Sequence, residues 1–582
     1  MKRTKALHAE YNPTASFNLM KQCTECNRVY DDETLKFCLD DGAALVYGPA
    51  EPKTAVLESE GNPSERRTKL FTPAGAMHGR SPSKFTQPDA ERKWNRSIVA
   101  ALGLILVAVV AGVGGYLLYG RAAAKPIESL AVMPFVNETG SADVEYLSDG
   151  MTESLINSLS KIPNLSVKAR STVFRYKNQT VDPVIVGKEL AVPAVLNGHI
   201  LQRGDDLTVY LSLVDTKTGG QIWGDSYERK LADLVALQKE ITREVSQELH
   251  VRLSGADVQR VTKTSTENAE AYQLYLRGRH HLMKSTPPEI ETSIKYFQQA
   301  IEIDPSYTLA YVGIADGYRA PGAERVPAEA LEKSKAAALK AIELDDSLAD
   351  AHAVLGFIIF WYEWNWAESE KECKRAIELA PNNSDAHLFY AHLLSNLGRN
   401  DESLAEARRA RELDPLNVRT NALEGQFLLH AGRVDEALAR LNATKELDPD
   451  NWMAHLFSTS AYIEKGMYPE AIAEGRRTNE IQPHSRSFSF LGYALAKSGN
   501  RAAAQSELAM MMEQSKQRWI SPYSVAIVYN GLEDREQTLA WLERGLEQRD
   551  PRMVFLKSEP KWKNLRGDLR FVKIFRAVGL PE

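Results

Sequence analysis

The sequence predicts a multidomain protein with a small cysteine-rich module, one membrane-spanning helix, an α/β domain and an all-α superhelical solenoid. Three observations predict this arrangement. The run of 24 residues at 97–120 contains no charged residue. Strand-like and helix-like patterns alternate after this run, and from about residue 267 a short motif recurs at regular spacing. A chain of 582 residues is also too long to fold around a single core.

Composition identifies most of the chain as globular and argues against two classes of protein. The hydrophobic fraction is 43% and the charged fraction is 25%, which are ordinary values for a folded chain. The net charge of −6 argues against a broad nucleic-acid-binding face. Four cysteines are too few for a scaffold held together by disulfides.

Residues 20–46 form the predicted cysteine-rich module and hold three of the four cysteines, in the stretch CTECNRVYDDETLKFCLDDG. A Cys-x-x-Cys turn directs two thiolates at one ion, and tetrahedral zinc then needs two further ligands. Cys38 has the position of a third ligand, and Asp41 stands where a fourth cysteine is usual. The predicted ligands of a structural zinc ion are Cys23, Cys26, Cys38 and Asp41.

Two other interpretations of these cysteines stay open. Cys23 and Cys26 are a redox pair if they begin a helix beside a sheet, or the thiols bind nothing. Zinc is favoured because the residues before the pair offer no βαβ unit. Through the pattern CxxCxxxYxxxxxxFCxxDG, the stretch resembles the zinc-ribbon-type motif at the N-termini of some bacterial membrane proteins. That resemblance implies a structural module and not an enzyme.

The uncharged run at 97–120 is long enough to cross a bilayer, since about 20 apolar residues at ~1.5 Å each span the hydrocarbon layer. The proline-containing polar stretch before it, 47–96, is predicted to be a flexible linker. More Lys and Arg residues lie just before the run than just after it. This asymmetry predicts a single-pass protein of the inner (cytoplasmic) membrane, with a cytoplasmic N-terminus and exported C-terminal domains.

Residues 126–256 are predicted to form the α/β domain. SLAVMPFVN indicates a strand, VEYLSDGMTESLINSLSKI has helical spacing, and DPVIVGKELAV indicates a short helix capped by Asp182. NLSVKARSTVFRY indicates a second strand region. Turn residues at 204–206 and 217–220 divide the following alternating sequence into hairpin strands, and a helix over about 231–253 closes the domain.

Several pieces of this domain, among them SLAVMPFVNETG and SYERKLADLVALQKEITREV, resemble the TolB-like N-terminal domain of bacterial signalling and envelope proteins. The resemblance covers about 130 residues. It implies a small α/β domain that serves assembly or the reception of signals, with no catalytic residues to carry over.

The region 267–550 repeats itself. Prolines that close one motif after another recur every 34 residues, at Pro381, Pro415, Pro449 and Pro483. This is the period of the tetratricopeptide repeat, a helix–turn–helix unit that buries its apolar face against its neighbours. About eight repeats are expected, and residues 551–582 resemble the C-terminal cap of related chains.

The resemblance to tetratricopeptide arrays implies a concave face, lined by the first helices, that commonly binds extended peptides or partner proteins. Residues about four apart on a helix share one face. An ordinary solvated face is the alternative interpretation for each candidate residue. The residues predicted to contact a partner are His392 and Asn396, Gln426 and His430, and Ser460 and Glu464.

These features predict a non-enzymatic, membrane-anchored adaptor or signalling scaffold that binds cell-envelope proteins through its repeats. Residues 1–96 are too short for a kinase or cyclase domain and contain no glycine-rich loop. The alternative is a transmembrane regulator whose cytosolic zinc module contacts nucleic acid or a transcription or kinase partner. Acidic residues around the cysteines make nucleic acid the weaker expectation. Signalling through a single span favours a homodimer.

Overall fold

The computed structural model describes residues 127–162, 165–249, 262–284, 286–320 and 327–581, together with three short strands between residues 21 and 47. The chain divides into two compact units, Met1–Leu104 and Ile105–Glu582. Almost all of the predicted linker 47–96, and the whole predicted membrane helix 97–120, lie outside the described residues. Among the described helices, none is long and apolar enough to cross a membrane.

In the first unit, the described strands form a small antiparallel sheet. They are β1 (Lys21–Cys23), β2 (Val29–Tyr30) and β3 (Leu45–Tyr47), in the order β2-β1-β3. Cys23, the last residue of β1, pairs with Leu45 of β3. Cys23, the first residue of the Cys-x-x-Cys motif, therefore lies beside the strand that follows residues 38–41 in the chain.

In the second unit, the first described element is the sheet of the α/β domain, whose order is β6-β4-β7-β8-β9 with β5 paired to β7. The parallel pairs involve β4, β5, β6 and β7, whereas β7, β8 and β9 are antiparallel neighbours. The two hairpins turn where the sequence predicts. The strands are β4 (Ser129–Val132), β5 (Val136–Asn137), β6 (Ser166–Val167), β7 (Ala194–Arg203), β8 (Asp206–Asp215) and β9 (Gln221–Lys230).

The helices of this domain are α1 (Glu145–Leu159), α2 (Arg170–Phe174), α3 (Pro183–Leu190) and α4 (Leu234–Glu248). The Asp182 carboxylate caps α3 as predicted, accepting a hydrogen bond of 2.8 Å from the Val184 backbone N–H. The strand predicted for NLSVKARSTVFRY is largely wrong, because only β6 is extended. In α2 the Arg170 guanidinium stacks 3.7 Å from the Phe174 ring centroid, one helical turn away, which supports a helix there.

The described part of the array contains eight helical pairs, the number that the repeats predict. In the third repeat, a π-helical turn, Ile359–Glu363, continues the first helix. The pairs are α5 (Ala269–Met283) with α6 (Pro287–Ile303), α7 (Thr308–Arg319) with α8 (Pro327–Leu344), α9 (Ala349–Ile358) with α10 (Trp366–Leu379), α11 (Ser384–Asn396) with α12 (Asn400–Leu413), α13 (Val418–His430) with α14 (Val434–Leu447), α15 (Trp452–Glu464) with α16 (Tyr468–Ile481), α17 (Ser485–Lys497) with α18 (Arg501–Gln514), and α19 (Pro522–Gly531) with α20 (Arg535–Glu547).

Small residues let the two helices of a repeat approach closely. The Ser403 hydroxyl of α12 donates a 2.7 Å hydrogen bond to the Ala391 carbonyl of α11. A Cβ on Gly425 of α13 would lie 2.6 Å from Leu441 Cδ2, so a larger residue there would force the Leu441 side chain to move. Ala437 of α14 is fully buried. These contacts explain why small residues recur with the period of the repeat.

In three of the repeats, a histidine of the first helix binds a glutamate of the second helix. We call each of these contacts a histidine clasp. In each clasp, imidazole Nδ1 lies 2.5–2.6 Å from a glutamate of the second helix. Nε2 lies 2.9–3.0 Å from a backbone carbonyl in the turn before the first helix. Both ring nitrogens of each of these histidines therefore face a hydrogen-bond acceptor. The pairs are His352 with Glu372, His387 with Glu406, and His455 with Glu474.

The α/β domain packs directly on the first helix of the array. The Tyr272 hydroxyl of α5 donates a 2.8 Å hydrogen bond to Ser154 Oγ of α1, and the Arg279 guanidinium binds the Glu153 carboxylate. Buried apolar side chains form one continuous core from the domain into the repeats. The sheet domain and the repeats therefore share one hydrophobic core.

Candidate functional site

The site is the face of the repeats that contacts residues 551–568, the C-terminal segment. This segment contains two short 3-10 helices, Pro551–Phe555 and Pro560–Leu565, and leads into the last helix, α21 (Leu569–Ala577). We call the opposing surface, made by the first helices of the third to eighth repeats and the π-helical turn, the inner face. The six residues predicted to contact a partner all lie on α11, α13 and α15, which belong to this face.

Phe555 of the C-terminal segment fills an aromatic pocket on the inner face and is 1% exposed. Its ring centroid lies 5.4 Å from that of Trp361, 5.9 Å from His392 and 5.8 Å from His430. The Arg486 guanidinium lies 4.9 Å above the ring. Because these four residues come from four different repeats, one side chain of the segment bridges a large part of the array.

Two lysines of the segment bind the sixth repeat. Lys561 has a fully buried side chain, and its Nζ donates a 2.7 Å hydrogen bond to Ser460 Oγ. Its Nζ also donates a 2.9 Å hydrogen bond to Glu559, whose carboxylate belongs to the segment itself. At the rim, Lys563 Nζ lies 3.0 Å from the Glu464 carboxylate. Two residues predicted to contact a partner thus contact basic side chains of the chain's own C-terminus.

Burial controls the charges on this face. Burial raises the pKa of Glu559, but the charge and the hydrogen bond of Lys561, together with smaller contributions that include the Arg486 charge, outweigh burial, and the pKa lies below its usual value. Burial lowers the pKa of His392 well below the ordinary histidine value and that of His430 to about 4. Both imidazoles are therefore neutral near pH 7, whereas the Glu559 carboxylate beside Lys561 is ionised.

The middle of the inner face leaves polar atoms without protein partners. His392, Asn396 and Gln426 are 5%, 0% and 2% exposed. Within the described structure, His392 Nε2, Asn396 Nδ2 and Gln426 Oε1 have no hydrogen-bond partner. The Asn396 side chain accepts only a long contact of 3.4 Å from the Ser558 hydroxyl. An unpaired buried polar group costs about 1–3 kcal/mol, so the segment fits this part of the face poorly.

The two ends of the segment are held more fully. Before it, the buried Asp550 carboxylate accepts hydrogen bonds of 2.6 Å from Ser521 Oγ and 2.9 Å from the Tyr523 backbone N–H. Trp562 is fully buried, and its indole N–H donates a 2.9 Å hydrogen bond to the Tyr523 hydroxyl. The Asn530 side chain donates a 2.6 Å hydrogen bond to the Lys561 carbonyl, as a receptor does to a peptide backbone.

The sequence predicted a terminal cap at 551–582 but not its position on the inner face. It also missed the histidine clasps, although histidines with a glutamate about 20 residues later recur in step with the repeat. The aromatic run at 360–366 has a packing role, since Phe360 is fully buried and Trp361 packs on Phe555.

The predicted zinc ligands Cys26, Cys38 and Asp41 lie outside the described residues, and only the backbone of Cys23 is described. In the described part of the chain, no group of three His, Cys, Asp or Glu residues is arranged to hold a metal ion. Cys373 is buried in the third repeat, and burial raises the pKa of its thiol to about 12. This thiol is therefore a packing group of the repeat.

Two sequence families match parts of the chain. Residues 126–248 match the family described as HilA/YgeH-like transcriptional regulator, second domain. Residues 391–451 and 423–486 match the tetratricopeptide repeat. The first match covers the domain predicted to be TolB-like, and that resemblance stays a prediction.

Among curated proteins, the chain is similar to "Putative adenylate cyclase 3" of Rhizobium meliloti, with 33% identity over 192 residues, 33% of this chain and 32% of that protein. It is 22% identical over 283 residues to the transcriptional regulator HilA of Salmonella typhimurium, 47% of this chain and 49% of that protein. The chain thus spans about a third to a half of these relatives.

Among solved structures, the chain is similar to YrrB, a tetratricopeptide protein with an unusual peptide-binding site. The identity is 26%, the TM-score is 0.24, and the match covers 33% of this chain and 95% of YrrB. By its family matches, the chain carries tetratricopeptide repeats joined to a small sheet domain that matches the second domain of HilA/YgeH-like regulators.

Proposed function

We propose that this protein is a membrane-anchored adaptor that binds a partner protein of the cell envelope through the inner face of its repeats. The observation that carries the proposal is the way this face holds the C-terminal segment. An aromatic side chain enters a pocket made by several repeats, a lysine binds Ser460, and an asparagine binds a backbone carbonyl. These are the contacts by which a protein recognises an extended peptide.

The contacts proposed for the partner are His392, Asn396, Gln426, His430, Ser460 and Glu464. They lie on three consecutive first helices and so follow one direction along the array. The unpaired polar atoms of the first three supply hydrogen-bonding capacity that the C-terminal segment does not use.

Membrane anchoring and export are supported by the 24 uncharged residues at 97–120 and by the basic residues before them. The proposed topology leaves residues 1–96 in the cytoplasm. A dimer is proposed because a single span transmits a signal most readily through contact with a second span.

A structural zinc ion is proposed for the N-terminal module. Three thiolates and one carboxylate, from Cys23, Cys26, Cys38 and Asp41, are donors that zinc accepts. The pairing of Cys23 with Leu45 supports the proposal, because it brings together chain segments on either side of the remaining ligands. Zinc would hold this small sheet together and would not take part in a reaction.

The protein is proposed to have no enzymatic activity. The tetratricopeptide fold is typically non-enzymatic. The similarity to "Putative adenylate cyclase 3" covers 32% of that protein, so its activity is not transferred to this chain.

A transmembrane regulator is the second candidate function, and the match of residues 126–248 to the second domain of HilA/YgeH-like transcriptional regulators favours it. In this version, the α/β domain and the repeats with which it shares a core receive a signal. The cytosolic zinc module would then contact a transcription or kinase partner or nucleic acid.

Recovery of partners from cells tests the adaptor function. The tagged full chain, extracted in mild detergent, is compared with a Gln426→Ala/His430→Ala variant by mass spectrometry. Arg409→Ala/Glu412→Ala, which alters an exposed ion pair on α12, is the matched control. We expect envelope proteins to be recovered with the wild type and the control and lost with the inner-face variant. Recovery of no specific protein with any chain would contradict the adaptor function.

A further inference from the structure

We infer that the C-terminal segment is a built-in ligand of the inner face, and that the partner displaces it by presenting the same order of side chains. That order is an aromatic residue followed six residues later by a buried lysine and eight residues later by a lysine at the rim, as in Phe555, Lys561 and Lys563. This inference rests on the proposed function, because it identifies the class of partner and the regulation of the same site.

The C-terminal segment contacts repeats that lie further from the C-terminus than those that a terminal cap contacts. A cap covers the last repeat. The helix α21 does so: it buries Phe571 and Ile574, and its Arg570 guanidinium binds Glu536 and Glu543 of α20. The segment, however, also contacts the third repeat through Phe555 and Trp361. The Arg549 guanidinium just before the segment donates a 3.1 Å hydrogen bond to the Glu363 carbonyl of that repeat. Contacts this far from the end occupy the binding face and do not close the array.

The fit of the segment is incomplete where a peptide backbone would bind. Asn396 Nδ2 is a donor and Gln426 Oε1 is an acceptor, on neighbouring repeats, and both are buried without a protein partner. A peptide unit carries one acceptor and one donor. A partner whose backbone reaches these two groups gains hydrogen bonds that the C-terminal segment lacks, and this gain allows displacement.

The contacts of the two lysines indicate which side chains a partner must present. Lys561 Nζ lies 4.1 Å from the Phe490 ring centroid and is bound by Ser460, so this pocket selects a cation in an aromatic setting. At the rim, Glu464 faces Lys563. A segment with an aromatic anchor and two lysines fits this face, whereas an acidic segment meets Glu464 and leaves the pocket beside Phe490 without its cation.

A labelled peptide tests whether the segment can be displaced. The probe is a fluorescein-labelled peptide with the sequence of residues 550–564, DPRMVFLKSEPKWKN, titrated into the full chain in mild detergent and followed by anisotropy. Phe555→Ala in the chain weakens its own segment and leaves the inner face intact. We expect this variant to bind the peptide about tenfold or more tightly than the wild type, because a buried aromatic anchor dominates such contacts.

Three further variants keep the test decisive. Lys563→Glu places like charges at the exposed rim without changing the core, and we expect a smaller gain in peptide affinity. Lys573→Glu makes the same change of charge on an exposed position of α21 and should give no gain. Glu464→Lys, added to Phe555→Ala, should reverse part of the gain.

Equal peptide affinity of the wild type, Phe555→Ala and Lys563→Glu would overturn the inference, because the segment would then be a fixed part of the core. If Phe555→Ala loses helical circular dichroism, Lys563→Glu alone decides. The two experiments distinguish failure of the adaptor function from failure of this inference. A partner recovered through Gln426 and His430, with no gain in peptide affinity, removes this inference alone. A gain in peptide affinity, with no partner recovered from cells, removes the adaptor function alone.

Discussion

Replacing Lys561 by alanine tests what holds the C-terminal segment against the inner face. Lys561 and Glu559 have side chains that are 0% and 4% exposed, and their charged atoms lie 2.9 Å apart. Alanine at this position leaves the Glu559 carboxylate buried without its counter-ion. Removing one member of a buried ion pair costs about 3–5 kcal/mol. We therefore expect the segment to open at least about 100-fold more often, since each ~1.4 kcal/mol is a factor of ten.

Hydrogen–deuterium exchange of peptides covering residues 551–568, in the full chain, measures this opening. Lys563→Ala is the matched control, because Lys563 is 64% exposed in its pair with Glu464 and such surface pairs contribute about 0–1 kcal/mol. Adding Glu559→Gln to Lys561→Ala should restore much of the protection, because no uncompensated charge stays buried. Equal acceleration by the substitutions at 561 and 563 would refute the reasoning.

Three other expectations concern the clasp, the buried thiol and the zinc module. Burial lowers the pKa of His455, but its hydrogen bonds to Glu474 and a backbone carbonyl outweigh burial and raise it. The clasp therefore stabilises the fold below the ordinary histidine pKa and loses this effect as pH rises through the raised value. Urea unfolding should show His455→Asn to be more destabilising at pH 6 than at pH 8.5, and an equal loss at both would contradict this. Cys373, whose thiol pKa is raised to about 12, should resist iodoacetamide in the native full chain at pH 7.5 and react in urea. Modification at equal rates would contradict its burial. The purified full chain should hold one zinc ion by elemental analysis, lost in Cys38→Ser, and a zinc-free wild type would remove the zinc proposal.

The repeats were predictable because their signal is local and periodic. Prolines spaced by 34 residues mark the end of each second helix, and small residues such as Ser403 mark the close approach of two helices. The hairpin turns of the α/β domain and the cap at Asp182 are equally local. In each case the residues that determine the structure are close neighbours in sequence or repeat with a fixed period.

The position of the C-terminal segment was not predictable from such patterns. Ser558 meets Asn396 across 162 residues of sequence, and no periodicity links them. The inner-face candidates were identified by their spacing on the first helices. This spacing shows which residues share one face of a helix, but it does not show which part of the chain covers that face. The strand expected around Arg170 failed for a similar reason, since apolar and polar residues alternate there but only β6 finds a neighbouring strand.

Photo-crosslinking from position 426 tests the central claim, that the inner face binds another protein, most directly. Benzoylphenylalanine replaces Gln426 in the full chain in living cells, and its adducts are identified by mass spectrometry. The same group at Met510, which is 43% exposed on α18, is the control for random encounters. We predict an adduct with an envelope protein from position 426 that is missing from position 510, beside an internal adduct with residues 551–568. An internal adduct alone, under every growth condition, would contradict the claim.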